Sequence, residues 1–404
     1  MAEMEWLEGG ITAVPGILAS GIHGGIKTNG KRDLALIYSS VPARAAAVFT
    51  TNQVKGAPVL VSMEHAKGGT IQAIVASSGC SNTCTGEQGI RDAREMTKIV
   101  ADHLGLPPHH VLVASTGVIG QPLPMDRVRA ALPKLVKALS PQGGRSAAEG
   151  ILTTDTVPKE TALHIEVGGR PATIGGIAKG AGMIAPHMAT MFCFLATDVA
   201  ISREALQAVL KRAVDRSFNR ITVDGDQSTS DTVAILANGL AENTLLEKGS
   251  RGFRSFAQGV EAVAVRLARM LVKDGEGATK VVEVRVRGAK SRREAVSAAR
   301  TVANSLLVKT ALNGQDPNWG RIMAALGRSA ATVAPDKIGI WIGEEALVAG
   351  GQLKPGARLD RIREIMTQPE YAIQIDLGLG AGQDHVWTCD LSEEYVKINA
   401  KYTT

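Results

Sequence analysis

The chain has 404 residues, of which 45% are hydrophobic and 21% charged, with a formal net charge of +6. This balance is ordinary for a folded globular protein, and the length predicts two domains or one large two-lobed unit. Aromatic residues make up only 3% of the chain, and the basic residues are scattered rather than arranged in a stripe. A nucleic-acid surface is therefore not expected. The modest positive charge favours a small anionic substrate.

Two further patterns narrow the class of protein. No apolar run reaches membrane-spanning length, and the acidic residues 1–8 do not resemble a signal peptide. We therefore expect a cytoplasmic protein without a membrane partner. The four cysteines include no Cys-x-x-Cys pair of the zinc-binding type, so a zinc site of that type is not expected. They are Cys80, Cys84, Cys193 and Cys389.

In the first half of the chain, apolar runs of strand length alternate with loops of small polar residues. Helices are predicted over 90–104 and 125–139, and a polar linker over 140–145. The loop 78–86 lies between a strand and a helix N-terminus, which suits an anion but equally suits a plain turn. The predicted strands cover residues 34–38, 45–50, 71–77 and a run from 111 that leads into a turn at 116–117.

Two polar turns in this half are candidate binding elements. Gly117 lets the backbone approach a ligand closely, and exposed amides beside Thr116 could receive an oxyanion. The turn 153–156, Thr-Thr-Asp-Thr, carries hydroxyls and a carboxylate that suit amino-acid recognition. From the pattern alone, residues 116–117 are better explained as a plain turn, and residues 153–156 suit a helix-capping turn equally well.

The stretch 179–198 organises the chain. It opens with Lys179 and small residues, passes through Pro186, and becomes an apolar strand-length run at 191–196. Thr190 lies at the junction between the loop and the apolar run. A hydroxyl at the start of a buried strand can be held rigidly and remain accessible to a substrate. The alternative is an ordinary loop-to-strand transition in which the threonine caps or pairs locally.

The second half continues with mixed helices and strands. Helices are predicted over 203–217, with Ser202 as N-cap, and over 252–273. The polar segment 219–232 lacks the closing glutamate of a calcium loop and is interpreted as a polar wall near Thr190. Glu276 lies in a loop between two glycines, where a carboxylate can hold an ammonium group. Later elements are a half-buried strand at 281–287, a capping box at 291–294 that opens a helix, and strands at 338–342, 371–377 and 386–390.

Several of these motifs resemble one enzyme family. Residues 179–191 follow the pattern Lys-Gly-x-Gly-Met-Ile-x-Pro-x-Met-Ala-Thr-Met, and Thr197-Asp198 follows the strand. This is similar to the cleavage-site signature of the ornithine acetyltransferases, the glutamate N-acetyltransferases of the cyclic arginine pathway. Residues 115–120, Ser-Thr-Gly-Val-Ile-Gly, match a family motif completely, and other matches extend from about residue 12 to the C-terminus. The loop 77–86 departs from the family at Ser77, Cys80, Ser81 and Thr83, so we assign it no precise role.

The resemblance implies a self-cleaving precursor. Cleavage between Ala189 and Thr190 would give an alpha chain, residues 1–189, and a beta chain, residues 190–404. Thr190 would then be the catalytic nucleophile, with Thr116 and Gly117 stabilising the oxyanion. The substrate-binding residues that the resemblance implies are Thr153, Thr190, Glu276, Asn399 and Thr404. From its charge, Lys179 is also expected to bind substrate, by pairing with the α-carboxylate that both substrates share.

The resemblance also implies a reaction, a fold and an assembly. The expected reaction is ping-pong transfer of acetyl from N2-acetylornithine to glutamate through an acetyl-Thr190 intermediate, without metal or cofactor. Acetyl-CoA as a further donor is a question that the sequence does not decide. The expected fold is mixed α/β, a two-lobed layered sandwich of the ornithine acetyltransferase and DmpA-type aminopeptidase kind. Two alpha and two beta chains are expected to form a heterotetramer.

Two other functions remain open at this point. A hydrolase of the same architecture, an amidase or aminopeptidase, would resolve the acyl-enzyme with water instead of an amine. A non-catalytic protein would retain the site and bind amino acids without cleavage. The complete signature around Thr190 and the Glu276 loop favour acetyl transfer.

Overall fold

The computed structural model describes residues 4–185 and 191–401. Of these, residues 4–185, 191–219 and 226–271 form a first compact unit, and residues 220–225 and 272–401 form a second. The strands are β1 Met4–Leu7, β2 Ile17–Ile22, β3 Leu34–Ser39, β4 Arg44–Phe49, β5 Ala73–Cys80, β6 Val111–Val118, β7 Lys159–Val167, β8 Arg170–Lys179, β9 Phe192–Thr197, β10 Ile221–Thr222, β11 Thr232–Ala237, β12 Val281–Ala289, β13 Gly339–Ile342, β14 Glu345–Ala349, β15 Gln352–Leu353, β16 Glu370–Asp376 and β17 Gly382–Cys389. The helices are α1 Ala57–Ala66, α2 Gly86–Leu104, α3 Met125–Lys137, α4 Gly144–Gly150, α5 Arg203–Arg216, α6 Phe253–Lys273, α7 Arg292–Ala303, α8 Leu306–Asn313, α9 Trp319–Gly327, α10 Leu359–Met366 and α11 Glu393–Lys401.

The first unit contains two sheets packed face to face. One has six strands in the order β1-β7-β8-β9-β11-β4, and the other has four in the order β2-β3-β5-β6. Apolar side chains from both sheets share one buried core, including Ile37 and Ile74 from the smaller sheet and Phe192 and Phe194 from the larger. Because strand side chains alternate between faces, the intervening residues face outward from this core.

Helices cover the outer faces of both sheets. Apolar residues of α2 and α3, such as Met96 and Leu132, pack with Leu36, Val75 and Val113 on the smaller sheet. On the larger sheet α6 approaches β7 and β8 closely, since a Cβ at Gly259 would lie 2.9 Å from the Ile174 side chain. The first unit is therefore a helix–sheet–sheet–helix sandwich, which confirms the mixed, layered fold expected from the sequence.

The second unit is built around a seven-stranded sheet in the order β10-β17-β12-β16-β13-β14-β15. Val282, Val284 and Val286 of β12 pack against the small residues of α7 in one core. The alternate residues of β12 are polar, and Arg285 donates to Glu283 at 2.7 Å. The half-buried strand predicted at 281–287 is thus confirmed.

The two helices with a predicted N-cap begin at that cap. The Ser202 side chain accepts the amide of Ala205, as expected for the N-cap of α5. At α7 the Ser291 hydroxyl accepts the amide of Glu294 at 3.2 Å, but the Glu294 carboxylate accepts the amide of Thr332 instead of turning back to its own cap. The capping box predicted there is therefore only half formed.

Two parts of the first unit differ from the sequence prediction. The polar linker predicted over 140–145 ends early, because α4 begins at Gly144. The hairpin of β7 and β8 was not predicted, although Gly168 and Gly169 both have positive φ, as its two-residue turn requires. Among the described residues, no helix is both long and apolar enough to cross a lipid bilayer.

Candidate active site

The Thr116-Gly117 pair lies at the end of β6, which runs parallel to β5. Gly117 is directly beside Gly79 in the register of the two strands. Its φ is +128°, and a Cβ at this position would lie 2.4 Å from the carbonyl carbon of Gly79. Only glycine fits here without a backbone shift. The glycine that we expected to admit a ligand also admits the backbone of the neighbouring strand.

Lys179 reaches Thr116 from the other sheet. It is the last residue of β8, and its Nζ donates to Thr116 Oγ1 at 3.2 Å. Lys179 is 1% exposed and Thr116 is 2% exposed. Because an ammonium group can only donate, the hydroxyl of Thr116 accepts this bond and keeps its own proton for another acceptor. The pair therefore presents a polarised O–H donor inside a buried, cationic environment.

Asp155 connects the turn at Thr153 to the buried, cationic surroundings of Lys179. Its Oδ1 accepts from Lys159 Nζ and from the amide of Gly180, both at 2.6 Å, and its Oδ2 accepts from the amide of Thr153 at 3.0 Å. Burial alone would raise the pKa of Asp155, but the charges of Lys159 and Lys179 and these hydrogen bonds outweigh it and hold the pKa at about 2. The Asp155 carboxylate thus holds the protein's own backbone in place at Thr153 and Gly180.

Thr153 itself lines a cavity of about 680 Å³, together with Lys27. Lys27 Nζ donates to the carbonyls of Leu152 and Arg32 at 2.7 and 2.8 Å. Burial lowers the pKa of Lys27 to about 8, although the charge of Asp33 acts in the opposite direction. Sequence reasoning did not identify Lys27, because its burial depends on the fold of the loop between β2 and β3.

Strand pairing and a side-chain hydrogen bond hold the chain directly after the predicted cleavage site. Phe192 of β9 lies opposite Lys179 of β8 in the antiparallel register, so their Cα atoms are about 5 Å apart. The backbone amide of Met191 donates to Asp231 Oδ1 at 2.7 Å. Asp231 belongs to the polar segment 219–232, which was predicted to border Thr190. The segment's last acidic side chain therefore contacts the residue directly after Thr190.

In the second unit, Glu276 and Asn399 are partners. Asn399 Nδ2 donates to Glu276 Oε2 at 2.7 Å and to the carbonyl of Tyr395 at 3.0 Å. The loop of Glu276 is tied to the chain before α11 because the Ser392 hydroxyl donates to the carbonyl of Gly277 at 2.6 Å. Two residues that the resemblance assigned to substrate binding, 123 positions apart in the sequence, thus meet on a partly exposed surface.

The described residues therefore bring the predicted site residues together in two groups. Thr116, Gly117 and Lys179 form one group in the first unit, with Thr153 connected to them through Asp155. Glu276 and Asn399 form the other group in the second unit. Ala189, Thr190 and Thr404 lie outside the described residues. Within residues 4–185 and 191–401, no group of three His, Cys, Asp or Glu side chains is arranged to hold a metal ion.

Comparisons with known proteins agree with these motifs. The ArgJ family model matches residues 18–404. The chain belongs to the ArgJ family. A protein of Symbiobacterium thermophilum named arginine biosynthesis bifunctional protein ArgJ is 50% identical over 403 residues, which are 99% of this chain and all of that protein. The protein of the same name from Geobacter sulfurreducens is 51% identical over 391 residues, which are 97% of this chain and all of that protein.

Solved ArgJ structures were also matched. A crystal structure of ArgJ from Bacillus halodurans is 42% identical and covers 47% of this chain and all of its own, with a TM-score of 0.44. Ornithine acetyltransferase from Mycobacterium tuberculosis, complexed with ornithine, is 40% identical and covers 46% of this chain and 98% of its own, with a TM-score of 0.43. Membership of the ArgJ family confirms the resemblance seen in the sequence.

Proposed function

We propose that the chain cleaves itself between Ala189 and Thr190 and then transfers acetyl from N2-acetylornithine to glutamate through an acetyl-Thr190 intermediate. One observation carries the proposal: Lys179 bonds to Thr116 and also lies opposite Phe192, two residues after Thr190. The family's oxyanion motif and its cleavage motif, far apart in sequence, are thereby brought together. Family membership favours this transferase over a hydrolase or a non-catalytic binding protein.

In the cleavage step the Thr190 hydroxyl attacks the carbonyl carbon of Ala189. The C–N bond breaks, an ester forms, and the hydroxyl proton goes to the nitrogen of Thr190. Water then hydrolyses the ester, which frees the hydroxyl and leaves a carboxylate on Ala189. The new α-amine has an ordinary pKa of about 7.7–8.0, so near neutral pH part of it is free to act as a base.

In the transfer steps the α-amine takes the Thr190 hydroxyl proton as the oxygen attacks the acetyl carbonyl of N2-acetylornithine. The hydroxyl of Thr116 and the amide of Gly117 donate to the developing oxyanion. Because Lys179 donates to Thr116, it makes the hydroxyl of Thr116 a stronger donor. Ornithine leaves with the proton, and the amine of glutamate then attacks the acetyl ester. The ester C–O bond breaks, the proton lost by glutamate passes through the α-amine to the Thr190 oxygen, and N-acetylglutamate and the free hydroxyl result.

Charge supports roles for the remaining predicted residues. Lys179 is proposed to attract the α-carboxylate that both substrates share, and Glu276 to hold the side-chain ammonium of the ornithine donor. Thr153, Asn399 and Thr404 complete the proposed substrate contacts. Asn399 already donates to Glu276, so it orients the carboxylate that would meet the ammonium.

Three finer statements belong to the same proposal. Acetyl-CoA would act as a second donor, which the word "bifunctional" in the names of the relatives supports. The two chains would assemble as a heterotetramer of two alpha and two beta chains. The enzyme would act in the cytoplasm, as expected from the sequence.

Intact mass of the purified protein, alongside Thr190→Ala, tests the proposal. We expect fragments of 189 and 215 residues from the wild-type chain and a single chain from the variant. Product analysis with and without glutamate then separates transfer from hydrolysis, because a hydrolase releases acetate in both cases. A single uncleaved chain that still transfers acetyl would show that the α-amine is not the base. An uncleaved, inactive chain that binds amino acid would favour the binding protein.

A further inference from the structure

Asp231 is a buried carboxyl group that the mechanism above does not use. It precedes β11, is fully buried, and its backbone carbonyl accepts the amide of Thr50 at 3.1 Å. Its side chain accepts the amide of Met191 through Oδ1 at 2.7 Å. The other oxygen, Oδ2, is buried and has no hydrogen-bond partner among the described residues. A buried acceptor without a donor is costly, so this oxygen calls for an explanation.

The surroundings of Asp231 provide little stabilisation for a negatively charged carboxylate. Burial raises its pKa well above the usual range, and the Met191 amide, the charge of Lys179 and the nearby Thr50 hydroxyl only partly oppose this effect. The Thr50 hydroxyl donates to the carbonyl of Ser228 at 2.7 Å, which leaves Oδ2 unsupplied. Lys179 on β8 is the charged group that acts on it. These surroundings favour a neutral carboxylic acid in the uncleaved chain.

Cleavage would change those surroundings. Asp231 bonds to the amide nitrogen of Met191, and covalent geometry keeps the nitrogen of residue 190 within about 4 Å of that atom. In the uncleaved chain this nitrogen is a neutral amide. After the cleavage proposed above it is an amine that can carry a full positive charge. Asp231, a buried carboxyl group bonded to the amide of Met191, would therefore lie next to a newly created cation.

We propose that Asp231 is the positioning residue for the α-amino group of Thr190, orienting it as the base and stabilising the ammonium that forms when it takes the hydroxyl proton. The inference rests on the proposed self-cleavage. After cleavage the carboxylic acid of Asp231 gives its proton to the amine, which forms an ammonium–carboxylate pair. During acetyl transfer the amine acts as base only after it has lost a proton to solvent, and the carboxylate stabilises the ammonium when the Thr190 hydroxyl proton arrives. A base oriented by a third group follows the logic of other activated nucleophiles.

The test compares Asp231→Asn with Asp198→Asn. Asparagine at 231 keeps an oxygen that can accept the Met191 amide but cannot carry the negative charge. Asp198 is a matched control: it is buried, accepts the backbone amide of Thr173 at 2.8 Å, and has a pKa raised by burial, but it follows the other end of β9. Wild-type and variant chains are compared by intact mass, by kcat and KM for glutamate, and by the pH profile of kcat/KM.

We expect Asp231→Asn to cleave, to keep its KM within about threefold, and to lose roughly 100-fold in kcat. The acidic limb of its pH profile should shift to lower pH, because an amine without a neighbouring carboxylate loses its proton more easily. Asp198→Asn should match the wild type in kcat and pH profile.

Two outcomes would overturn this inference alone. If Asp231→Asn retained the wild-type kcat and pH profile, Asp231 would serve only to bond the Met191 amide. If Asp231→Asn stayed uncleaved while Asp198→Asn was cleaved, the carboxyl would act before any amine existed. Absence of cleavage and transfer in the wild type and both variants would instead contradict the proposed function.

Discussion

The two groups of candidate residues differ in how far they are removed from water. In the first unit, Thr116, Lys179 and Asp155 are buried and bonded to one another or to backbone amides. In the second unit, Glu276 is partly exposed and Asn399 is exposed, on a loop and on α11. Electrostatic stabilisation of an oxyanion is strongest where water is excluded, whereas binding a substrate's charged end tolerates an open surface. The proposal accordingly assigns the chemistry to residues of the first unit and recognition of the substrate's ammonium group to residues of the second.

The largest effect on stability should come from Asp155→Ala. This change leaves the buried ammonium of Lys159 without its carboxylate, and we expect the free energy of unfolding to fall by about 3–5 kcal/mol. Denaturant unfolding measures the loss. Asp102→Ala is the matched control, since Lys98 and Asp102 have the same i,i+4 spacing and the same 2.6 Å distance but are exposed. That control should cost less than about 1 kcal/mol. An equal loss in both variants would show that burial does not make the Asp155–Lys159 pair more important for stability than an exposed pair.

Thr116→Val should give the largest effect on chemistry. Valine is close to threonine in shape but has no hydroxyl, so the oxyanion loses one donor and Lys179 loses the acceptor at Oγ1. We expect kcat to fall roughly 100- to 1,000-fold, with KM nearly unchanged. Thr116→Ser retains the hydroxyl and should recover most of the activity in steady-state assays. A serine variant as slow as the valine variant would mean that packing of the methyl group, and not the hydroxyl, matters.

Glu276→Gln tests whether the second unit binds the ammonium group of the substrate. The amide keeps an acceptor for Asn399 but cannot attract an ammonium group. We expect KM for N2-acetylornithine to rise about tenfold, with kcat little changed, and the free energy of unfolding to change by less than about 0.5 kcal/mol. Glu394→Gln on α11, where Glu394 pairs with exposed Lys397, is the control and should leave KM unchanged. Destabilisation as large as that of Asp155→Ala would contradict an open recognition surface.

The smallest effect concerns Lys27, a partly buried lysine of the first unit beside the cavity. With a pKa of about 8, a large share of its amine is neutral at pH 8, whereas an ordinary lysine, near pKa 10.4, has well under 1% neutral amine there. A neutral amine still has two protons for the carbonyls of Leu152 and Arg32 and a free lone pair. Limited acetylation with acetic anhydride, followed by peptide mass analysis, should therefore label Lys27 ahead of exposed lysines. Its labelling should rise from pH 7 to 9 and then level off, and a continued rise to pH 10 would contradict the lowered pKa.

Periodicity and caps predicted about half of the helices and strands from the sequence. The amphipathic pattern over 252–273 became α6, and Ser202 caps α5 as expected. The hairpin of β7 and β8 was missed although β7 alternates between apolar and polar residues near its end. The strand β8 contains Gly175 and Gly176 and is almost entirely buried, so its sequence shows no clear alternation.

The candidate site was predictable only to the extent that its residues belong to motifs. Thr116, Gly117 and Lys179 were found because they match family patterns, and the fold then placed Lys179 on Thr116. Asp231 and Lys27 could not be singled out, since their properties arise from burial and not from neighbours in the sequence. From the sequence, an aspartate in a polar segment gives the same signal whether the fold exposes its carboxylate to solvent or buries it in the core.

The pairing of β8 with β9 has a consequence for how a cleaved protein would fold. These strands flank the proposed cleavage bond and are joined by a continuous antiparallel register, from Ile174 opposite Thr197 to Lys179 opposite Phe192, inside the six-stranded sheet. A precursor forms this pairing within one chain, so its folding is a first-order process. A nicked molecule would have to rebuild its central sheet from two chains, and its recovery after denaturation would be second order and would fail on dilution. Self-cleavage would thus turn a reversible fold into one assembled once, at synthesis, and afterwards held in place by the slowness of unfolding.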